Sequence, residues 1–280
     1  MRVLVTGATR MIGNAVVEFL YEEGHEIVAT SNEEINNVTA GWKEKVVYIP
    51  LNILDYSEMD LFRYFRKPDA IVHLAWSNLN DYRNRIHTET IYPRHLLFLK
   101  NLLSGGLKDI TVTGTCLEYG MQEGELSEDF ETIPVLSYAT GKDLLRKELE
   151  SVCKTTGAVL KWLRLFYIYG GMSQKKTLLN SIDEAVKRGD QYFDMSQGDQ
   201  LRDFIHIKAA SMIIGQTALQ KKVSGIINGC SGKPVTVRSF AERYIREKKY
   251  DLNLRFGILP YPDYEPFAFW GSTKKMKEII

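Results

Sequence analysis

The sequence is poor in cysteine, has almost no net charge and contains no long apolar run. Its three cysteines, Cys116, Cys153 and Cys230, stand far apart and outside any CxxC pair, which argues against a disulfide scaffold and against a metal site. No segment approaches the roughly 18 consecutive apolar residues of a membrane span, and the start MRVLVTG has no signal-peptide pattern. The net charge of +1 argues against a nucleic-acid partner, because such proteins concentrate basic residues. We expect a cytoplasmic protein without a membrane or nucleic-acid partner.

The first half of the chain alternates short apolar runs with helical patterns. The runs RVLVTG, HEIVATS, KVVYIPLN, PDAIVHLAW and DITVTGT are typical of buried strands. Their alternation with helices predicts an α/β fold, a doubly wound parallel sheet with helices on both faces. Pro93 is expected to begin or kink one long helix, and a second is expected to have Ser137 as its N-cap and Gly157 at its end. From about residue 170 the alternation weakens, which predicts a smaller C-terminal lobe and a cleft.

The turn TGATRMIG at residues 6–13 follows the first strand and opens a helix. A glycine-rich turn in this place presents backbone N–H groups and the positive end of the helix dipole to an anion. Gly7 and Gly13 fit the first and last glycines of a dinucleotide fingerprint, whereas Arg10 replaces the middle one. The turn therefore predicts a dinucleotide site, and the alternative is a tight turn that binds nothing.

The end of the second strand favours NADP over NAD. An NAD site usually has a carboxylate there for the ribose hydroxyls, but this strand ends in Thr30, Ser31 and Asn32, and no carboxylate follows before Glu33. The guanidinium of Arg10 suits a 2′-phosphate. Binding that phosphate would explain why an arginine replaces the middle glycine. In the alternative interpretation Arg10 only faces solvent, and NAD is the alternative cofactor.

The segment YATGK places Tyr138 and Lys142 four residues apart, on the same face of a helix. An ammonium beside a phenol favours phenolate, so Lys142 is expected to depress the pKa of Tyr138 and make it a usable proton donor and acceptor. Thr115, at the end of the strand ITVTGT about twenty residues earlier, is expected to hydrogen-bond the same reacting oxygen. The three residues together predict a site that transfers a proton to or from a reacting oxygen.

Taken in order, TGATRMIG, HLAW, GTCLEYG, YATGK and GDQLRDFIHI resemble the extended short-chain dehydrogenase/reductase family of NAD(P)-dependent epimerases and dehydratases. The resemblance covers nearly the whole chain and implies a nucleotide-sugar substrate. It also implies an NAD(P)-binding Rossmann-type domain at residues 1–169, with contributions from about 203–230, and a mainly substrate-binding lobe at residues 170–280. Thr115, Tyr138 and Lys142 match the family's catalytic residues, and Arg202 matches an arginine that contacts the substrate's diphosphate.

The motifs and the resemblance together assign two ligand sites. The predicted cofactor residues are Gly7, Thr9, Arg10, Met11, Ile12, Gly13, Thr30, Ser31, Asn32, Asn52, Ile53, Leu74, Ala75, Trp76, Tyr138 and Lys142. The predicted substrate residues are Ser77, Tyr82, Arg83, Thr115, Cys116, Tyr167, Ser173, Gln174, Asn180 and Arg202. For Arg202, Asn180 and residues 173–176, a solvated polar face is the alternative. Arg164 is interpreted as structural or as a support for the residues that contact ligand, and no catalytic role is assigned to His87 or His206.

Departures from the family pattern narrow the function. The family's 4,6-dehydratases carry Asp and Glu directly after the catalytic threonine, and Cys116 and Leu117 are not suited to that acid/base work. Because a cofactor consumed in net reduction is usually NADPH, we predict reduction of the C4 ketone of a nucleotide-diphosphate 4-keto-6-deoxyhexose, in deoxysugar and surface polysaccharide (O-antigen) biosynthesis. The alternatives are a nucleotide-sugar 4-epimerase with tightly bound NAD and a non-catalytic, redox-sensing NADP-binding regulator. The resemblance also implies a homodimer, because the family commonly pairs two subunits through the long helices after the fourth and fifth strands. Both helices of this chain carry enough apolar residues to cover more than one face.

Overall fold

The computed structural model describes residues 1–171 and 177–280, so the predicted substrate residues Ser173 and Gln174 lie outside the described residues. The strands are β1 (Arg2–Thr6), β2 (Glu26–Thr30), β3 (Val47–Tyr48), β4 (Ala70–His73), β5 (Asp109–Thr115), β6 (Gly124–Leu126), β7 (Val159–Leu165), β8 (Tyr167–Tyr169), β9 (Tyr192–Asp194), β10 (Leu201–Arg202), β11 (Phe204–His206), β12 (Gly225–Gly229), β13 (Val235–Thr236), β14 (Asn253–Arg255) and β15 (Phe269–Gly271). The helices are α1 (Met11–Glu22), α2 (Leu61–Tyr64), α3 (Tyr92–Ser104), α4 (Ser137–Thr156), α5 (Leu178–Arg188), α6 (Ile207–Leu219) and α7 (Val237–Lys248).

Within the described residues, seven parallel strands form the central sheet in the order β12-β7-β5-β4-β1-β2-β3. The apolar runs VLV, IVA and AIV of β1, β2 and β4 are buried throughout, as expected for a sheet covered on both faces. The chain winds outward in one direction from β1 and in the other from β4. The strand order reverses between these two neighbours, and in such sheets ligands bind at the carboxyl ends beside the reversal.

Helices cover both faces of the sheet, as the sequence predicts. On one face α1 and α6 pack together, with Val16, Leu20 and Ile213 in a shared core. On the other face α2, α3 and α4 contribute to a second core, to which Leu99 and Leu145 belong. The α/β, doubly wound fold of the Rossmann type is therefore confirmed.

A smaller apolar cluster lies beyond the sheet and joins α5 to α7 and β14. Leu179, Ile182, Phe240 and Leu252 are among its buried members. The chain returns to the main sheet between these two helices, because α6 packs on α1 and β12 pairs with β7. The residue boundary between the two lobes stays a prediction. Among the described helices, none combines the length and apolarity that crossing a bilayer would require.

The ends of the long helices test the predicted start and stop signals. Pro93 is the second residue of α3, just after a π-helical turn at His87–Ile91, and Gly157 ends α4 with φ +68 in the left-handed region. The expected N-cap is wrong by one residue, because Ser137 is already inside α4 and Leu136 occupies the N-cap. The Ser137 hydroxyl instead donates to the carbonyl oxygen of Arg83 at 3.1 Å, which ties the helix to the loop after β4.

Candidate active site

The turn after β1 is built around two close backbone approaches. Gly7 has φ +67, and a Cβ there would lie 3.0 Å from the backbone of Ala75. A Cβ on Gly13 would lie only 2.1 Å from the carbonyl oxygen of Gly7. Both positions therefore require glycine, and α1 begins at Met11 against the end of the sheet. This cradle has the shape and the helix N-terminus that a pyrophosphate needs, so it fits the predicted dinucleotide.

The end of β2, where the sequence predicts the 2′-phosphate of NADP, is less open to solvent than the sequence indicates. Thr30 and Ser31 are buried, and the Ser31 hydroxyl contacts the Thr9 hydroxyl at 3.1 Å and the Tyr48 hydroxyl at 2.7 Å. Asn32 and the side chain of Arg10 are exposed. Of the polar groups predicted to meet a 2′-phosphate, Arg10 and Asn32 are thus the ones at the surface.

Four other predicted cofactor residues follow β3 and β4 at the same edge of the sheet. Asn52 is exposed, and its side chain accepts a hydrogen bond from the turn after it, whereas Ile53 is buried. The backbone N–H groups of Leu74 and Ala75 donate to Thr6 Oγ1 at 3.1 and 3.2 Å. These contacts fix the chain that borders the Gly-rich turn.

The predicted catalytic residues converge at the carboxyl end of β5. Tyr138 and Lys142 lie in the first two turns of α4, and the side chains of Thr115 and Tyr138 hydrogen-bond to each other. The Lys142 ammonium, 2% exposed, donates to the carbonyl oxygen of Thr113 at 2.7 Å and lies 4.2 Å from the centre of the Trp76 ring. The phenol is thus held between a strand end and an aromatic wall.

The expected depression of the Tyr138 pKa is wrong for this structure. Burial raises the pKa of Tyr138 well above its ordinary value of 10, and Tyr82, Glu118 and Cys116 raise it further. The hydrogen bond with Thr115 lowers this pKa but does not outweigh burial. The phenol is consequently protonated at neutral pH in this structure.

Aromatic rings surround the phenol on three sides. The Tyr82 ring stacks on the Tyr138 ring with centroids 4.7 Å apart, and Trp76 and His87 meet it edge-on at 6.2 and 5.5 Å. His87 is buried, accepting from Trp76 Nε1 at 3.1 Å on Nδ1 and donating from Nε2 to the carbonyl oxygen of Asp81 at 2.9 Å. Both nitrogens of His87 therefore hold the wall in place.

A pair of fully buried histidines lies beneath this wall, and sequence reasoning missed it. Thr6 Oγ1 already accepts two backbone N–H groups, so its hydrogen is donated to His73 Nδ1 at 3.0 Å, and His73 Nε2 then donates to His95 Nδ1 at 2.8 Å. The His95 and Trp76 ring centroids are 5.0 Å apart. Burial, and after it the positive charge of Lys142, lowers the pKa of His95 to about 3, and burial also lowers that of His73. The pair is neutral.

A second missed residue, Glu118, lies directly behind Thr115. It is fully buried, and its carboxylate accepts from the Thr115 N–H at 2.9 Å and from Arg164 Nε at 2.9 Å. The sequence does carry a signal for it, because Thr115 and Glu118 have the T-x-x-E spacing of a capping box. Arg164 is a buried partner of this carboxylate, in agreement with its structural interpretation.

The two arginines predicted to bind substrate already have carboxylate partners. Arg202 is buried, its guanidinium pairs with Glu265 at 3.0 Å, and it also donates to the carbonyl oxygen of Phe267 at 3.0 Å. Arg83 is exposed and pairs with Asp263 at 2.5 Å. The segment 263–267 therefore lies over both arginines, and a diphosphate would compete with its carboxylates.

The remaining predicted substrate residues are spread around the same cleft. Ser77 is exposed, and Cys116 is buried in a cluster with Tyr82, Tyr138 and Tyr167. Burial raises the pKa of the Cys116 thiol, and burial followed by Glu265 raises that of Tyr167. Asn180 lies in the first turn of α5, where its N–H donates to Thr177 Oγ1 at 3.3 Å. Thr115, Cys116 and Tyr82 are the members that meet at the phenol.

Comparison with known proteins finds a matching family model and relatives named as nucleotide-sugar enzymes. The sequence model described as "NAD dependent epimerase/dehydratase family" matches residues 3–227. A dTDP-6-deoxy-L-talose 4-dehydrogenase (NAD(+)) of Aggregatibacter actinomycetemcomitans is 29% identical over 276 residues, which are 97% of this chain and 100% of that protein. A UDP-glucose 4-epimerase of Halalkalibacterium halodurans is 24% identical over 100% of this chain and 90% of its own length.

Among solved structures, one similar fold is a UDP-glucose-4-epimerase from Stenotrophomonas maltophila with bound NAD and formylated UDP-arabinopyranose. Its TM-score to this chain is 0.86 at 18% identity, over 100% of this chain and 92% of that one. At this identity the likeness shows the fold alone.

Proposed function

The chain belongs to the NAD dependent epimerase/dehydratase family, and on that premise we propose that it reduces the C4 ketone of a nucleotide-diphosphate 4-keto-6-deoxyhexose. The observation that carries the proposal is the relative named as a 4-dehydrogenase of a dTDP-6-deoxy sugar, which aligns with 97% of this chain. Its reaction centre is the C4 carbon of a 6-deoxyhexose, as in our proposal. We place the reaction in deoxysugar biosynthesis for surface polysaccharides.

The proposed cofactor is NADPH, held by the Gly7–Gly13 turn, with Arg10 and Asn32 at the 2′-phosphate. The exposure of these two side chains, at a strand end where the first carboxylate along the chain is Glu33, supports this choice. The relative's name specifies NAD(+), so NAD is the alternative and the choice is open to direct measurement. When bound, the dinucleotide supplies the hydride for C4.

Three residues of this chain are proposed to act at the C4 oxygen and the cofactor beside it. Tyr138 donates its proton to that oxygen, and its raised pKa keeps it protonated until it does so. Thr115 accepts the Leu117 N–H at 3.3 Å, which leaves its hydroxyl hydrogen for the Tyr138 oxygen or the developing oxyanion. Lys142 orients the nicotinamide ribose and supplies positive charge below the site.

A substrate diphosphate is proposed to bind at Arg202. The guanidinium is buried with Glu265, so binding requires the diphosphate to displace that carboxylate or to share the arginine with it. Arg83, paired with exposed Asp263, lies on the outer side of the cleft. We expect the segment 263–267 to shift when a nucleotide sugar enters.

A nucleotide-sugar 4-epimerase is the second candidate, favoured by the 24% identical UDP-glucose 4-epimerase. An epimerase needs the same Thr115, Tyr138 and Lys142 but regenerates its cofactor in each turnover. Net consumption of reduced cofactor therefore separates the two reactions. A dehydratase is disfavoured, because Cys116 is buried with a raised pKa and Leu117 cannot transfer a proton.

The test is to incubate the protein with NADPH or NADH and a panel of nucleotide 4-keto-6-deoxy sugars while following the nicotinamide absorbance. We expect stoichiometric NADPH oxidation, and a fall of about 10² to 10⁴ in kcat for Tyr138→Phe. Tyr21→Phe, at an exposed tyrosine on α1, is the matched control and should keep the parent rate. Interconversion of C4 epimers without net NADPH oxidation would instead establish the epimerase.

A further inference from the structure

The turn after β5 contains more hydrogen bonds to a buried charge than a helix cap requires. Thr115 ends the strand, its backbone N–H donates to Glu118 Oε1 at 2.9 Å, and its hydroxyl accepts the Leu117 N–H at 3.3 Å. A capping box requires of its Glu only that the side chain reach back to the N-cap N–H. Here Glu118 is 0% exposed, and burying a carboxylate costs several kcal/mol unless partners compensate.

The compensating partners come from the neighbouring strand β7. Trp162 Nε1 donates to both carboxylate oxygens of Glu118 at 3.1 Å, and Arg164 Nε donates at 2.9 Å. In the register of β5 with β7, Gly114 lies opposite Arg164 and Val112 opposite Trp162. Glu118 thus clamps the end of β5 onto β7 through three donors.

Gly114 shows how tightly this clamp is packed. A Cβ on that residue would lie 2.2 Å from Trp162 Nε1 and 2.3 Å from Glu118 Oε1. The residue before Thr115 must therefore be glycine for the carboxylate to reach both the Thr115 N–H and the Trp162 indole. Residues 114–118, G-T-C-L-E, therefore form one structural unit.

The clamp holds the backbone that carries the Thr115 hydroxyl. One lone pair of this hydroxyl is occupied by the Leu117 N–H, its hydrogen is available to another acceptor, and the Thr115 side chain hydrogen-bonds Tyr138. A donor that stabilises a developing oxyanion must be held within about 0.5 Å of its productive position. We propose that Glu118 is a positioning residue, which, through Trp162 and Arg164, holds Thr115 in the orientation that serves the reacting C4 oxygen.

This inference rests on the proposed function, since it takes Thr115 as a group that touches the reacting oxygen. The competing interpretation is that Glu118 and Arg164 only join two strands. The two differ in a measurable way. A positioning residue acts through Thr115, so its loss should cost nothing further once the Thr115 hydroxyl is absent, whereas a purely structural pair should leave kcat unchanged in protein that folds.

The experiment is a double-mutant cycle between Thr115→Ala and the paired replacement Glu118→Met with Arg164→Met. The double replacement removes both buried charges together, so that neither is left without its partner. Proteins often tolerate such a replacement of a buried ion pair by apolar residues. Glu118→Gln is the second variant, since its amide oxygen can still accept the Thr115 N–H but cannot accept from all three donors at once. Thermal unfolding and NADPH titration establish that each variant is folded and binds cofactor.

We expect Thr115→Ala to lower kcat by about 10² to 10³, the effect of one oxyanion donor. The Met/Met variant should lower kcat at least about tenfold with KM within about twofold of the parent, and Glu118→Gln should retain more activity than Met/Met. Adding Thr115→Ala to either variant should bring kcat to the Thr115→Ala level and no further. Parental kcat in the folded Met/Met variant, or losses that multiply in the cycle, would overturn the proposal.

Failure of the proposed function is distinguishable from failure of this inference. If the parent protein does not reduce keto sugars but interconverts C4 epimers, the same cycle is measured on that reaction, because Thr115 would serve the C4 oxygen there too. A parent protein inactive in both assays would remove Thr115 as a catalytic group and overturn the inference with the function.

Discussion

Mild acid should destabilise this protein through the histidine pair beneath the cleft. His95 is 1% exposed and has a pKa of about 3 in the folded chain, against about 6.5 when unfolded. Because the folded pKa is the lower one, the neutral histidine contributes stability above pH 6.5, and this contribution is lost as the pH falls toward 3. Between pH 6.5 and 5 the loss is about 1.5 pH units at about 1.4 kcal/mol each, or about 2 kcal/mol. His73 acts in the same direction.

The assay is urea unfolding at pH 7 and pH 5 of the parent, of His95→Gln and of His25→Gln. We expect the parent to lose at least about 2 kcal/mol of unfolding free energy at pH 5. His95→Gln should lose about 2 kcal/mol less, because glutamine does not titrate. His25→Gln, at a partly exposed position near the N-terminus, is the matched control and should follow the parent. Equal losses in the parent and in His95→Gln would refute a neutral, buried His95.

Three further predictions concern the cofactor and the assembly. Lys142→Ala should lower both turnover and NADPH affinity, measured by steady-state rates and by titration, and an effect on turnover alone would contradict its contact with the ribose. Arg10→Gly should weaken NADPH by about 1.5–3 kcal/mol, about 10- to 150-fold in Kd, with NADH nearly unchanged, whereas equal losses for both cofactors would rule out a 2′-phosphate contact. A homodimer through α3 and α4 is expected from the exposed Leu97 and Leu144 on these helices. Replacing both, Leu97→Glu with Leu144→Glu, should therefore shift the sedimenting species from dimer to monomer. A parent protein that sediments as a monomer at micromolar concentration would contradict the dimer.

The segment 263–267 belongs to the part of the site that the sequence motif did not reveal. Arg202 stands in a recognisable motif, but its partner Glu265 is 63 residues away along the chain. Nothing in the spacing of either residue indicates the other. A long-range ion pair depends on how distant parts of the chain fold together, and it changes what Arg202 must do before it can bind an anion.

The sequence alone determined the features that depend on local periodicity and backbone geometry. Apolar runs separated by helical patterns predicted the parallel sheet, the close approaches at Gly7 and Gly13 follow from the fingerprint, and the spacing of Tyr138 and Lys142 places both on one helix face. The tertiary structure decided the features that depend on burial and distant partners. It raised the pKa of Tyr138 instead of lowering it, because side chains from the loop after β4 and from the turn after β5 bury the phenol. It likewise placed Glu118 behind Thr115 with two donors from β7, since a buried charge can exist only where the fold brings its partners together.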